Sequence, residues 1–439
     1  MKLSVSKVLM LLSGIFFLRS GPAYSEVLEL DLQRCIEMAL GSNIQLQISK
    51  EKINESEAAL KQATAGYLPK ISANATYSRL GEAPTMDISG IMPGAGLVEV
   101  GSQNNYNVGV NVNQPLFTGG RIRTGHRIAL QNKNAAQCEN RAVEKDVVRE
   151  VTQAYYTVLA STRSLEALDS SIVLLEQLKK DLENAVEVGM RGEHELLQAE
   201  VQLLNQQLSR RQAKTGVLAA QRMLANLIGL PLDQSYRLDD YIPEPEQFSI
   251  PSIEALVKSA HTRLPEVKVM ENQLSIVGHQ ISLARAEYMP SLFATAGFDA
   301  QTTGVESLEW RDNWMVALSL QWNIFDWGAA RQKRAQAESQ YRQLELGIQE
   351  FKNGLEFMVR NNYHALKDAY EAIEISRRSV EQSRRSYEVT YDQYHQGMVP
   401  NSELLNAQNL RLQSEIAFYR ALSEYHSKRA DLEYLISFD

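Results

Sequence analysis

The sequence contains one unit twice, and this repeat constrains the fold more than any other feature. VGM at 188–190 is followed by ELLQA at 195–199, and 208 residues later QGM at 396–398 is followed by ELLNA at 403–407. The same offset relates Tyr155 to Tyr363, Gly120 to Gly328 and Leu224 to Leu432. A long internal period of this kind indicates one supersecondary unit that is used twice.

The two copies differ in the length of one loop. YLP at 67–69 corresponds to YMP at 288–290 with an offset of 221 residues, so the first copy carries 13 more residues before Leu116. A proline-rich stretch at 230–252 predicts a non-helical linker between the copies. We therefore expect the first repeat at 26–229 and the second at 253–439.

Each copy is predicted to run helix, strand, loop, strand, very long helix, tight turn and helix. The strands are the segments in which apolar and polar residues alternate, at about 70–80, 105–117, 290–300 and 313–325. Their length suits a tilted strand that crosses a bilayer, although a half-buried soluble sheet would alternate in the same way. The four tryptophans fall in or beside the last strand, as an aromatic girdle at a membrane interface would place them: Trp310, Trp314, Trp322 and Trp327.

The helices between the strand pairs are predicted to be unusually long. No proline occurs from Gly120 to Val188, and apolar residues from Tyr341 to Met358 follow the 3-4 spacing of a coiled-coil seam. A helix of about 65 residues reaches roughly 100 Å, which suits a rod that bridges a gap.

The N-terminus has the layout of a secretory signal peptide. Lys2 and Lys7 precede an apolar run at 8–18, and small residues at Ala23 and Ser25 predict cleavage after residue 25. The apolar run is too short for a membrane anchor, because eleven helical residues rise only about 16 Å. We expect Cys35 and Cys138 to be two buried thiols, with a disulfide in an oxidising compartment as the alternative.

Composition and motifs argue against an enzyme or a nucleic-acid binder. The chain has 53 acidic and 45 basic residues, a net charge of −8, and no block of Lys and Arg. His194-Glu195 begins like a zinc-protease helix, but Gln198 stands where the second histidine ligand would be needed. We expect no catalytic site, no cofactor and no metal site.

A membrane location for these strands requires several chains. Four strands cannot close a barrel, and open strand edges cannot lie in lipid because their N–H and C=O groups would be unpaired. Two chains would give an eight-stranded barrel filled by its own side chains, whereas three chains give twelve strands and room for a lumen. The residues of the polar face are small and hydrophilic, as a water-filled pore requires, and we therefore expect a homotrimer.

The signal peptide, the repeat, the two strand pairs and the VGM turn together resemble the TolC-like outer-membrane factors. This resemblance implies a mixed α/β membrane protein, with a twelve-stranded trimeric β-barrel on a periplasmic tunnel of long α-helices. It implies an exit duct of a tripartite efflux pump or type I secretion system in the outer membrane. The implied partners are outer-membrane lipid, a periplasmic adaptor (membrane fusion) protein and an inner-membrane pump. The alternative is a periplasmic or surface coiled-coil structural protein whose strands form a small soluble sheet.

The resemblance also assigns residues to two sites at the periplasmic end. The turns that would contact the adaptor correspond to Val188, Gly189, Met190, Gly397 and Met398. The gate that would constrict the tunnel corresponds to Glu403, Asn406, Tyr394 and Glu195. Asn406 and Val399 depart from the family pattern, because they stand where an aspartate and an arginine are expected. The alternatives are that both glycines only end helices and that Glu403 only favours a helix start.

Overall fold

The computed structural model describes residues 28–94, 96–239, 241–248, 250–302 and 309–436, so the expected signal peptide at 1–25 lies outside the described residues. The chain is mostly helical. The helices are α1 Leu32–Ser42, α2 Ile44–Ala65, α3 Arg121–Glu187, α4 Glu193–Ile228, α5 Ile253–Arg263, α6 Pro265–Arg285, α7 Ala329–His395 and α8 Asn401–Ile436. The strands are β1 Leu28–Leu30, β2 Lys70–Arg79, β3 Thr85–Asp87, β4 Leu97–Glu99, β5 Asn104–Phe117, β6 Tyr236–Leu238, β7 Ser291–Thr302 and β8 Trp310–Gln321.

Two long helical hairpins form most of the molecule. Helices α3 and α7 have 67 residues each, and α4 and α8 have 36 each. A helix of 67 residues is about 100 Å long. Near the turns the helices lie side by side in the order α4, α3, α8, α7, whereas near the sheet the order is α2, α3, α6, α7. The bounds of α3 and α7 differ by the same 208 residues that separate the turn motifs. Among the described residues, no helix is long and apolar enough to cross a membrane.

Strands β2, β5, β7 and β8 form one antiparallel sheet in that order. Its register places apolar residues beside apolar ones, and mostly polar or small residues beside each other, across all four strands. One row consists of Ile71, Val112, Ala296 and Val316, and the next row, on the opposite face, of Ser72, Asn111, Gly297 and Met315. The sheet therefore has one apolar face and one largely polar face. Within the described chain, β2 and β8 each pair on one side only and form the two open edges.

Strand β8 ends earlier than the alternation of residues predicted. Its last ladder partner is Gln321, which pairs with Ser291 at the start of β7. The residue before Ser291 is Pro290, which has no N–H to donate, so the ladder stops there. Trp322 and Ile324 lie just beyond the sheet, although they continue its apolar pattern.

The largest apolar core lies midway along the helices. It joins α1 and α5 to the long helices, with Val151, Leu355 and Leu432 fully buried in it. Strands β1 and β6 pair in parallel beside it, so the proline-rich linker contains a short strand. Both cysteines are free thiols: Cys35 is fully buried in this core, and Cys138 is half-buried. Burial raises the pKa of the Cys35 thiol to about 12.

The longer loop of the first copy forms a β-ribbon that projects from the sheet. The N–H of Leu80 donates to the carbonyl of Gln103, at 2.8 Å, directly after the β2–β5 ladder ends. The ribbon continues as β3 paired with β4, from Thr85 opposite Glu99 to Asp87 opposite Leu97. It thus extends β2 and β5 beyond the four-stranded sheet.

Candidate functional site

The two long hairpins end in turns of identical geometry at the end of the molecule far from the sheet. Gly189 has φ of 75° and Gly397 has φ of 73°, which is the left-handed conformation that favours glycine. The N–H of Met190 donates to the carbonyl of Ala185 at 2.8 Å, and the N–H of Gly189 to that of Val186 at 3.0 Å. These two bonds define a Schellman motif that ends α3.

The second turn repeats this pattern. The N–H of Met398 donates to the carbonyl of Gln393 at 2.9 Å, and the N–H of Gly397 donates to that of Tyr394 at 3.0 Å. Around both turns the apolar side chains face outward: Met190 is 80% exposed, Met398 is 70% exposed and Val188 is also exposed. The glycines therefore do end the helices, and they also present a small apolar surface at the tip.

Beneath the turns, the two hairpins share a compact apolar cluster. Tyr394 of α7 is only 6% exposed and packs among Leu182 of α3, Ala199 of α4 and Leu404 of α8. Burial raises the pKa of the Tyr394 hydroxyl, whereas nearby Arg191 lowers it by a smaller amount and Glu195 raises it. This cluster brings together side chains from all four long helices at the tip.

Arg191 bridges the two hairpins beside this cluster. Its guanidinium lies over the Tyr394 ring, 4.8 Å from the ring centroid, and its Nη2 donates to the Tyr394 carbonyl at 3.4 Å. Its Nη1 also forms an ion pair with Oε2 of Glu195, at 3.4 Å. The resemblance predicts this arginine at the position of Val399, which lies 208 residues after Arg191. The guanidinium is thus present at the tip, but it comes from the first copy of the repeat.

A second contact joins the hairpins from the other side of Glu195. The side-chain Nδ2 of Asn401 donates to the Glu195 backbone carbonyl at 3.1 Å. Asn401 is fully buried, and its Oδ1 has no hydrogen-bond partner among the described residues. Sequence reasoning missed both Arg191 and Asn401. The repeat offset pairs Arg191 with Val399, and this could have pointed to the arginine, whereas Asn401 looks like an ordinary helix-start residue.

Glu403 and Asn406 lie on an exposed face of α8. Glu403 is in the first turn of that helix, and its N–H donates to the carbonyl of Pro400 at 3.1 Å. Among the described residues of one chain, Glu403 has no ion-pair partner, although its repeat equivalent Glu195 is paired with Arg191. The structure therefore brings Tyr394 and Glu195 together and leaves Glu403 and Asn406 facing away from the cluster.

The four tryptophans lie at both ends of the last strand and not in one ring. Trp310 begins β8, and Trp314 follows four residues later on the same face. Trp322 and Trp327 come after the other end of the strand. The indole Nε1 of Trp322 donates to the Tyr288 carbonyl at 3.1 Å. Trp327 has φ of 55° and is 90% exposed. A bulky residue in this left-handed conformation is strained, so the exposed position of Trp327 carries a cost in backbone conformational energy.

No group of three or more His, Cys, Asp or Glu side chains that could hold a metal ion occurs in the described part of the chain. The geometry described above instead combines an amphipathic antiparallel sheet, paired helices of about 100 Å and a narrow tip with exposed apolar turns. These features describe an elongated, mostly helical protein with a small amphipathic sheet at one end and apolar turns at the other.

Comparison with known proteins gives the family. The chain belongs to the outer membrane efflux protein family, whose sequence profile matches residues 35–230 and 256–436. The solvent efflux pump outer membrane protein SrpC of Pseudomonas putida is 22% identical over 335 residues, which cover 75% of this chain and 68% of that protein.

Solved structures share the fold. The Campylobacter jejuni CmeC outer membrane channel superposes with a TM-score of 0.77 at 20% identity, over 93% of this chain and 87% of that one. A membrane protein from Pseudomonas aeruginosa gives a TM-score of 0.79 at 20% identity, over 92% of this chain and 93% of that one. The chain is therefore an outer-membrane efflux duct with a large periplasmic helical part, and the family does not support the coiled-coil structural alternative.

Proposed function

We propose that three copies of this chain assemble into one duct, with a closed twelve-stranded β-barrel above a continuous α-helical tunnel. The observation that carries the proposal is the two-faced sheet with open edges at β2 and β8. In lipid, every N–H and C=O of those edges needs a partner, and pairing β2 of one copy with β8 of the next supplies it. The apolar row through Val316 then faces lipid, and the polar row through Asn111 faces water.

The tryptophans support this placement. Trp310 and Trp322 are separated by twelve residues, which span about 40 Å along a strand and about 30 Å along the membrane normal at a tilt of roughly 40°. This distance matches the thickness of a hydrocarbon core, at whose two interfaces aromatic side chains are enriched. We assign Trp310 and Trp314 to the outer interface, and Trp322 and Trp327 to the periplasmic one.

The duct is proposed to consist of two repeats, 26–229 and 253–439, joined by the linker at 230–252, after removal of a signal peptide at 1–25. Equal lengths of the paired helices, 67 and 36 residues in each copy, support the twofold repeat. Each chain would then contribute two long hairpins to the tunnel, and three chains would contribute six.

The tip of the tunnel is proposed to be both a contact site and a gate. The exposed side chains of Val188, Met190 and Met398, on turns held by Gly189 and Gly397, suit an apolar contact with a periplasmic adaptor protein. Such a tip would dock onto an adaptor and an inner-membrane pump, because a duct without a motor has no means of driving export.

The gate is proposed to be closed by contacts within each chain. Arg191 links the first hairpin to Tyr394 of the second, and Asn401 links the second to Glu195 of the first. We name these four residues the tip clasp. While the clasp is formed, the hairpins stay together and the tunnel is narrow. Glu403 and Asn406 would line the constriction, with three Glu403 carboxylates forming a ring that favours cations.

Cell fractionation and native mass spectrometry test whether the chain assembles into a trimer in the outer membrane. The full chain is expressed with its signal peptide in a Gram-negative host, and the outer membrane is extracted in mild detergent. We expect a trimer by native mass spectrometry and ion-conducting channels when it is added to planar bilayers. A monomer in the soluble periplasmic fraction would contradict the proposal.

A further inference from the structure

The β-ribbon of the first repeat, residues 80–94 and 96–103, has one apolar face that no other described residue of the chain covers. In an antiparallel pair, residues opposite each other share a face. Met86 lies opposite Val98, and the N–H of Val100 donates to the carbonyl of Pro84 at 2.8 Å, so these four residues share a face. Met86, Val98 and Val100 are all exposed, and Ile91 at the end of the ribbon is 85% exposed.

The opposite face of the ribbon is polar and acidic. It carries Thr85, Asp87 and Glu99, together with Leu97. Residues 80–103 include three acidic residues and no lysine or arginine. A two-stranded ribbon is at best marginally stable in water on its own. An amphipathic ribbon of this kind therefore needs an apolar partner for one face and water for the other.

We propose that the partner is the same ribbon in the other two copies, and that three ribbons pack their apolar faces together over the axis of the barrel as a lid at its outer mouth. This proposal rests on the trimer proposed above. The ribbon grows out of β2, the edge strand that would pair with the neighbouring chain, so the contact between ribbons continues that interface.

The dimensions of the barrel allow this contact. Twelve strands about 4.8 Å apart and tilted by roughly 40° give a circumference of about 75 Å and a radius of about 12 Å. From Leu80 to Ile88 the ribbon spans eight residues, or about 25 Å. Each ribbon is thus long enough to reach the axis from the barrel rim.

Charge disfavours the other apolar surface in reach, the outer leaflet of the membrane. Anionic lipid surfaces attract segments that carry Lys and Arg, whereas this ribbon has only acidic groups and would be repelled. In a threefold bundle Asp87 and Glu99 instead face outward into water, because they lie opposite the apolar face.

The test uses single cysteines in the full-length protein in its own outer membrane, with Cys35 and Cys138 replaced by alanine. Met86→Cys places a thiol on the apolar face, and Thr85→Cys places one on the polar face of the same strand as a matched control. Copper phenanthroline then oxidises pairs of thiols. Because a disulfide requires Cα atoms within about 7 Å, we expect at least about fivefold more covalent dimer for Met86→Cys than for Thr85→Cys.

Two further measurements separate the possible failures. A lysine-reactive cross-linker reports whether the same sample is trimeric, so a trimer without a Met86→Cys dimer overturns the lid alone, and a monomer overturns the trimer as well. A bimane label on Met86→Cys reports lipid contact. Its quenching by brominated phospholipid would place the ribbon on the membrane and overturn the proposal, as would rapid labelling of both cysteines by a membrane-impermeant maleimide without dimer formation.

Discussion

Replacing Arg191 by alanine is expected to open the periplasmic end of the duct. The side chain makes three contacts in the structure, and all of them hold one hairpin to the other or brace the residue that does so. The guanidinium lies over the ring of Tyr394, its Nη2 reaches the Tyr394 carbonyl, and its Nη1 pairs with Glu195. The alanine variant removes these contacts and leaves the apolar cluster beneath them in place.

The size of the effect follows from the exposure of the partners. A cation–π contact contributes about 0.5–2 kcal/mol, depending on its desolvation. The Arg191 and Glu195 side chains are 27% and 25% exposed, so their ion pair contributes no more than about 1 kcal/mol. The sum is about 0.5–3 kcal/mol per chain, and because both ion-pair partners are about a quarter exposed we take its middle, about 1–2 kcal/mol. If three chains open together, the closed state loses about 3–6 kcal/mol, which shifts the ratio of open to closed ducts by roughly 10² to 10⁴.

Single-channel recording in planar bilayers measures this shift directly as open probability and conductance. Arg191→Lys is expected to be intermediate, because lysine keeps the ion pair but loses the planar group that stacks on the ring. Arg222→Ala serves as the control, because Arg222 pairs with an exposed Asp233 on another part of the chain. If Arg191→Ala and Arg222→Ala give the same open probability as the unmodified protein, the clasp does not hold the duct closed.

Three other changes test the membrane face, the constriction and the part of the helices near the largest apolar core. Leu318→Arg near the bilayer midplane is expected to lower the stability of the assembled protein by about 2–4 kcal/mol per chain, and thus the trimer yield in outer-membrane extracts. Ser319→Arg on the polar face is expected to be tolerated, and equal yields of the two variants would mean that the faces are reversed. Glu403→Gln is expected to lower the cation preference of the channel at low salt, measured as reversal potential. Glu193→Gln in the corresponding turn of α4 is expected to leave the preference unchanged. An unaltered preference in both variants would exclude a carboxylate ring. Burial lowers the pKa of His426 below 6.5 in the folded protein. As the pH falls from 6.5 toward that pKa, the unfolded chain takes up a proton that the folded protein does not, so the folded protein loses stability. The melting temperature of the purified protein is expected to fall less between pH 7 and 5 in His426→Gln than in the unmodified protein, and a parallel fall in both would refute this.

The helical part of the fold could be predicted because its signals are local. The long stretch without proline after Gly120 and the heptad spacing from Tyr341 to Met358 indicate continuous helices, and the structure contains them. The glycines at 189 and 397 stand where two of these helices end. Each of these signals lies within the helix that it predicts, so a single sequence contains the information.

The short strands could not be predicted, because their partners are distant in sequence. Leu28 pairs with Tyr236, and neither three-residue strand is long enough to show an alternating pattern. The break between α1 and α2 was also missed. Asn43 caps the second helix there, and its side chain accepts from the N–H groups of Gln45 and Leu46. This cap is recognisable only once it is known that one helix has ended.

At the candidate site, the residue that contacts Tyr394 comes from a different position in the sequence than the resemblance predicts. Val399 stands two residues after Gly397, where the resemblance predicts an arginine, yet the two hairpin tips lie side by side, so the equivalent position of the first copy reaches the same tyrosine. Tyr394 therefore has a guanidinium over its ring although the second copy supplies none.

The two copies of the tip pattern differ in a way that suits the two tasks proposed for the tip. In the first copy, Arg191 and Glu195 lie four residues apart on one turn and neutralise each other while the arginine clasps the second hairpin. In the second copy the corresponding residues are Val399 and Glu403, so the apolar side chain packs against the tip cluster, and no described cation of the same chain pairs with the carboxylate. The residue that differs between the copies, Arg191 in the first and Val399 in the second, therefore decides whether the carboxylate four residues later has a cation beside it. We expect Arg191→Ala and Glu403→Gln to act separately, the first on open probability through the proposed clasp and the second on ion preference through the proposed carboxylate ring.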